Sequence, residues 1–292
     1  MAKGKGRERA LSMETGIQST NHALLEAMYG LINVVILAPV CVSFTNIIFS
    51  HPAFAPHLPS LTKLVLFSSA IHQLCFSMFS SMPFAVGQVQ DAGLIFLSSM
   101  AYYMVEDMRK QGLGEDVIIT TVLVVLSICT CLLGVALVII GRMRFAVLVQ
   151  YIPVPVIGGY LAFIGFFCGK AGITMMTGLQ SSGLRFVEEL LQPDMFMLWF
   201  PGMCLGLGMY LSLRTFSSPY VLPIYMCCML AAFYSFLHLQ GWSVQDARDM
   251  HLISPLTKTA PFYESWFVYQ KMGEIAWDQL PKQFFRWCGI FN

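Results

Sequence analysis

The chain has 292 residues, of which 57% are apolar and 11% charged, with a formal net charge of +1 and a mean hydropathy of +0.67. So apolar a composition excludes an ordinary soluble domain, and so small a net charge excludes the basic field that nucleic acid requires of a partner. What remains is an integral membrane protein in a lipid bilayer whose ligands are small and polar.

Met1 to Thr20 is polar, with Lys3, Lys5, Arg7 and Arg9 and no short apolar core ahead of a small-residue cleavage site. It reads as a cytosolic tail and not as a signal peptide. Stretches long enough to cross a bilayer, roughly 17 to 25 residues, then run over 27–49, 64–82, 84–104, 117–140, 151–168, 195–213 and 219–239. The expectation is seven transmembrane segments in an all-α integral membrane fold. In the first, Pro39 and Ser43 stand out, because a mid-span proline frees a carbonyl and bends the helix, giving the span a reason to line a cavity. In the second, His72 reads as a buried, hydrogen-bonded histidine, with a proton relay as the alternative.

The third segment carries the chemistry. From Met82 to Met100 the chain is apolar and of membrane length, yet Pro83 and Gly87 interrupt it and Asp91 places a carboxylate within it. Proline removes a donor and disfavours helix at the preceding residue, so continuous winding through this point is not expected. A helix that starts in mid-membrane leaves its first N–H groups without intrahelical partners, and hydrocarbon offers no water to satisfy them. Phe84, Ala85, Val86, Gly87 and Gln88 would then present backbone amides and a positive dipole end, an anion seat worth about 0.3–2 kcal/mol from the dipole. The bland alternative is a proline break that packs against a neighbouring helix.

Asp91 costs on the order of 2.5 kcal/mol or more at membrane depth and by default marks a pathway. Three roles stay open: it takes up a proton during transport, it binds a cationic group on the solute, or it caps the half-helix without meeting the ligand. Its charge favours the nearby dipole end but repels an incoming dianion.

Direction follows from unopposed bases. Arg142 and Arg144 after the fourth segment and Arg214 after the sixth have no neighbouring acid, whereas Glu106, Asp107, Glu115, Asp116, Glu188, Glu189 and Asp194 balance the bases on the opposite side. The positive-inside rule therefore puts the N-terminus in the cytosol. Gly158, Gly159, Ala162, Gly165 and Gly169, then Gly202, Gly206 and Gly208, read as close-packing positions between helices. Lys170 is expected to snorkel to the outer interface. The cysteines within apolar runs read as packing residues, with Cys288 alone accessible. Residues 240–292 alternate aromatics and charges, as an interfacial linker does, with a lid over the pore as the alternative. No nucleophile stands with a base at matched spacing, and no His–Glu metal pattern or phosphate loop appears, so neither an enzyme nor a metal or cofactor is expected.

Two motifs carry a resemblance. Val86-Gly87-Gln88-Val89-Gln90-Asp91 ahead of an apolar helix is one. The other is Gly141-Arg142-Met143-Arg144-Phe145 followed by Tyr151-Ile152-Pro153-Val154-Pro155-Val156-Ile157-Gly158-Gly159 and the helix entry through Gly165. Together they resemble the sulfate permease (SulP) family, also called solute carrier family 26. Trp277-Asp278-Gln279-Leu280-Pro281 is similar to the link between the two halves of that family's membrane domain.

The resemblance implies fourteen segments in two inverted repeats of seven, followed by a cytosolic STAS domain, in a protein that is a homodimer when full length. This chain then corresponds to the first repeat: a tail at 1–20, core-unit helices at 21–140, gate-unit helices at 141–239 and a linker at 240–292. The family's substrate lies near the midplane between the third and tenth half-helices. Since a tenth has no counterpart here, the chain is expected to be part of a longer transporter, or to associate in two copies. The implied function is secondary active transport of a small inorganic or organic anion such as sulfate, with Asp91 as the proton-coupling candidate. An amino acid or other solute with a cationic group, or a non-transporting scaffold subunit, are the alternatives. Two residues depart from the commoner family pattern: Val40, where many relatives have glutamine after the proline, and Asp91, where small or apolar residues are usual. Plasma membrane and endomembrane both fit.

Overall fold

The computed structural model describes residues 2–81, 86–89, 91–145, 147, 151–179, 183–218, 220–250, 252–253, 263 and 273–283, and for residues 2–24, 91, 92 and 184 the backbone alone. Among the described residues there are helices and turns and no strand. That is what the bilayer demands, because a helix satisfies its own backbone groups where water is absent.

In chain order the helices are α1 (Ala2–Ile48), α2 (Leu58–Phe79), α3 (Asp91–Lys110), α4 (Glu115–Arg142), α5 (Val154–Thr177), α6 (Leu184–Leu190), α7 (Pro193–Thr215), α8 (Val221–Gln240), α9 (Val244–Asp249) and α10 (Gln279–Lys282), with a 3-10 turn, Pro52–His57, between α1 and α2. Among the described residues, six stretches are helical, long and apolar enough to cross a membrane: Leu25–Ile48, Pro52–Phe79, Glu115–Arg142, Val154–Thr177, Pro193–Thr215 and Val221–Gln240. The chain is an all-α, multi-pass integral membrane protein.

The stretch at 84–104 that the sequence marks as a seventh segment is not among these six. Helix α3 begins at Asp91 and ends among Glu106, Asp107, Arg109 and Lys110. Its uncharged stretch, residues 92–105, is about 21 Å long at 1.5 Å per residue, against a hydrocarbon core of about 30 Å. By itself it is too short to span.

By compactness the chain divides into two units, Met1–Val40 with Pro201–Asp249 and Cys41–Phe200 with Met250–Asn292. In the first, Tyr225 donates its hydroxyl to the Leu205 carbonyl at 2.8 Å and fills the space left by Gly208, where a Cβ would stand 2.7 Å from the phenol oxygen. The Tyr29 and Tyr220 hydroxyls meet at 3.5 Å. Helix α9 opens with a reciprocal cap: Ser243 N–H and Oγ both donate to Asp246 Oδ2 at 2.7 Å, and the Asp246 N–H returns to Ser243 Oγ at 3.2 Å.

The core of the second unit lies between α3 and α4. Leu94, Met100, Met104, Val105 and Met108 face Ile118, Val122 and Val125, all fully buried. Where lipid surrounds such side chains, close packing and not water exclusion holds helices together. Phe54 of the 3-10 turn is also fully buried, edge-on to Phe49 at 5.1 Å.

Two sequence expectations meet a different arrangement. Gly158, Gly159, Gly165, Gly169 and Gly206 have nothing within 4 Å of their Cβ positions, because α5 and α7 bury no residue, so these glycines do not mediate close packing within the described part of the chain. Part of the stretch read as an interfacial linker docks instead. The Ala276 N–H donates to Thr121 Oγ1 at 3.2 Å, and the buried Gln279 amide donates to Asp107 Oδ2 at 2.8 Å. Among the cysteines, Cys41 and Cys129 are buried, and Cys75, Cys131, Cys204, Cys227 and Cys228 are exposed; Cys288 lies outside the described residues.

Candidate functional site

Helix α2 stops at Phe79, where Ser80 turns extended and its N–H donates back to the Phe76 carbonyl at 3.0 Å. Val86, Gly87, Gln88 and Val89 are not helical, and winding resumes at Asp91. Pro83, Phe84 and Ala85 lie outside the described residues. So does the side chain of Asp91, whose backbone opens α3.

Gly87 is the fixed point of this break. Its N–H donates to Gln73 Oε1 at 2.9 Å, and its carbonyl accepts the Ser69 hydroxyl. A Cβ at this position would lie 2.5 Å from the Gln73 backbone nitrogen and 2.8 Å from the His72 carbonyl carbon. Only glycine lets this non-helical segment touch the helix backbone so closely. Ser69 and Gln73 are one turn apart on α2, so a single helix face satisfies both polar groups of the crossing residue. Where water is absent, that satisfaction is obligatory.

This changes which amides are on offer. The Gly87 N–H is taken by Gln73, and the Gln88 N–H donates to the Val86 carbonyl at 3.2 Å. The helix end that the sequence places at 84–88 stands instead at Asp91, and the first four N–H groups of α3 have no intrahelical partner. Pro39 is exposed on α1 in the first unit, and Ser43 is half-buried on α1 in the second. His72 is exposed, and it is its backbone that forms the wall against Gly87.

The second unit also contains a cavity of about 360 Å3 between the end of α1, the middle of α3 and the last turns of α5. Its polar lining includes Asn46, His51, Ser98, Tyr102, Lys170 and Thr174. His51 is buried and held at both ring nitrogens. Nδ1 accepts the Ala53 N–H at 3.1 Å, capping the 3-10 turn, and Nε2 lies 3.2 Å from Glu106 Oε1. An acceptor at Nδ1 leaves the ring proton on Nε2, which therefore donates to the carboxylate. Lys170 extends over the Phe186 ring, 5.5 Å from its centroid.

Sequence reasoning missed Ser69, Gln73 and His51. For the first two a signal existed: two hydrogen-bonding side chains four residues apart within an apolar span need inward partners. His51 sits in a polar turn where histidine is common, and nothing in the sequence marks its pairing with Glu106, 55 residues on. Comparison with protein-family models, curated proteins and solved structures finds no match to the chain.

Proposed function

We propose that this chain carries the first repeat of a secondary active transporter for a small anion, sulfate among them, with Asp91 as its proton-coupling group. The observation that supports this reading most is the junction at Gly87. A backbone that leaves the helix inside an apolar stretch, anchored on both polar groups, costs stability that simple spanning does not require. What the junction achieves is to start a short helix, α3, inside the apolar layer with its positive end toward the break. The motif resemblance to sulfate permeases points the same way.

The test is uptake of radiolabelled sulfate by proteoliposomes containing the full-length protein to which this repeat belongs, with and without an inward proton gradient. Uptake above protein-free vesicles, rising with the gradient, is the expected result. Uptake equal to that of empty vesicles under both conditions rejects the transport reading. Accumulation of a labelled amino acid in place of sulfate selects the cationic-group reading.

A further inference from the structure

We propose that the cavity between α1, α3 and α5 is a binding site for small organic anions that carry one carboxylate on a short apolar body. Its volume of about 360 Å3 falls at the lower end of small-molecule sites, about 300–1,000 Å3. That is room for roughly ten waters at about 30 Å3 each, far more than a lone inorganic oxyanion fills. The lining divides by chemistry. Ile47, Phe167, Met175 and Leu179 give an apolar wall, while Asn46, Tyr102 and Lys170 give donors and one cation.

Lys170 sets the sign of the ligand. Its neighbour is the face of Phe186, and among the described residues no carboxylate lies within ion-pair distance of it. Glu106, the acid that meets the lining residue His51, is engaged by that ring. A half-buried ammonium over an aromatic face, in a cavity whose lining contains no acid, is short of one negative partner. A carboxylate supplies it, and the apolar wall receives the rest of the molecule.

Position adds a second argument. Ser98 and Tyr102 line the cavity and stand seven and eleven residues after position 91, two and three turns along one face of α3. They lie about 11 and about 17 Å from its start at 1.5 Å per residue. The cavity is thus a place of its own, separate from the Gly87 junction, and occupancy of it is read without any flux.

The experiment is equilibrium binding of radiolabelled butyrate to the purified full chain in nanodiscs of neutral phosphatidylcholine, with acetate, propionate and sulfate as competitors. Affinity is expected to rise about fourfold per methylene from acetate to butyrate, and sulfate is expected to compete no better than acetate. Lys170→Gln weakens butyrate binding at least about tenfold, while Lys170→Arg keeps it within about threefold, at unchanged melting temperature. Ala171→Phe, which fills the cavity and leaves the charge, also removes binding. Chain-length independence, equal binding by Lys170→Gln, or stronger competition by sulfate overturns the proposal. Nanodiscs containing phosphatidylglycerol address the other source of an anionic head: unchanged butyrate affinity supports a free solute, and its loss overturns the proposal in favour of lipid. Butyrate binding that persists when sulfate uptake fails separates this site from the transport reading.

Discussion

Lys282 reaches back 175 residues to Asp107, with Nζ 2.8 Å from Oδ2, and the same ammonium lies 2.8 Å from Asp278 Oδ2 one turn before it. Gln279, between them in sequence and fully buried, donates to the same Asp107 oxygen. One carboxylate at the end of α3 therefore gathers the segment 273–283 against the α3–α4 pair. The ammonium and the Asp107 side chain are 45% and 41% exposed, so solvent screens the pair and its effect is on local opening more than on the fold. Lys282→Ala and Asp107→Ala are each expected to speed chymotryptic cleavage at Trp277 and leave the melting temperature of the helices nearly unchanged. Equal cleavage rates in both variants and the parent chain would show that the anchor holds nothing.

The same cluster has a pH dependence whose sign follows from its charges. The Lys282 ammonium, then the Gln279 amide, hold the Asp107 carboxyl below its ordinary 3.8, and Lys282 does the same for Asp278. Asp107 and then Asp278 hold Lys282 above its ordinary 10.5. A depressed carboxyl contributes fully above its unfolded value and loses that contribution as pH falls through the folded one; a raised ammonium contributes fully below its unfolded value and loses it as pH rises through the folded one. Docking of 273–283 is therefore flat across neutral pH and weakens below 3.8 and above 10.5. A variant retaining Trp277 as its sole tryptophan should show an emission red shift only at those two extremes, and a transition near pH 6 would contradict it.

Gly87→Ala tests the junction. The new methyl meets backbone atoms at 2.5 and 2.8 Å, which cannot swing aside as a side-chain tip would, so α2 and the segment 86–89 must separate. Overpacking of this kind costs about 1–3 kcal/mol, and separation strips Gly87 of Gln73 and Ser69 as well. The variant is expected to melt earlier and to lose sulfate uptake, whereas Gly93→Ala, with its nearest contact at an ordinary 3.7 Å, should change neither. A Gly87→Ala chain with parental melting and uptake would remove the junction from the transport argument.

Asp91→Asn keeps the volume and removes the charge. If the residue takes up a proton in transport, the variant retains sulfate uptake but loses its dependence on the proton gradient, since the coupled group is gone. A gradient response identical to that of the parent chain assigns Asp91 to a role outside coupling.

The sequence made some of this legible. Pro83 and Gly87 mark a break, and the structure has no helix at 86–89; apolar runs mark six helices to within a few residues at most ends. What it hid were pairings across long separations. Gln73 looks like one polar residue in a span until Gly87 arrives 14 residues later, and Trp277 to Pro281 looks interfacial until Gln279 finds Asp107, 172 residues away. Composition and periodicity report which residues want burial and say little about which donor meets which acceptor. The helix start shows the same limit. Backbone groups of Gly87 engaged by α2 defer winding to Asp91, and no propensity encodes that partner.

His51 offers the sharpest separation of two roles within one side chain. Its Nδ1 caps the 3-10 turn at Ala53, and its Nε2–H links that turn to Glu106 on α3. Asparagine is itself a good cap and is shorter, so His51→Asn preserves an acceptor for the Ala53 N–H and gives up the reach to Glu106. His51→Ala gives up both and leaves a buried N–H without an acceptor, a loss of about 1–3 kcal/mol. Melting temperature should therefore fall in the order parent, His51→Asn, His51→Ala, while Glu106→Gln, which can still accept the Nε2–H, stays near the parent. The tautomer is directly observable: nitrogen NMR of the ring should place the proton on Nε2. A proton on Nδ1 would set donor against donor at Ala53 and make the hydrogen-bonded cap, and the ranking built on it, untenable.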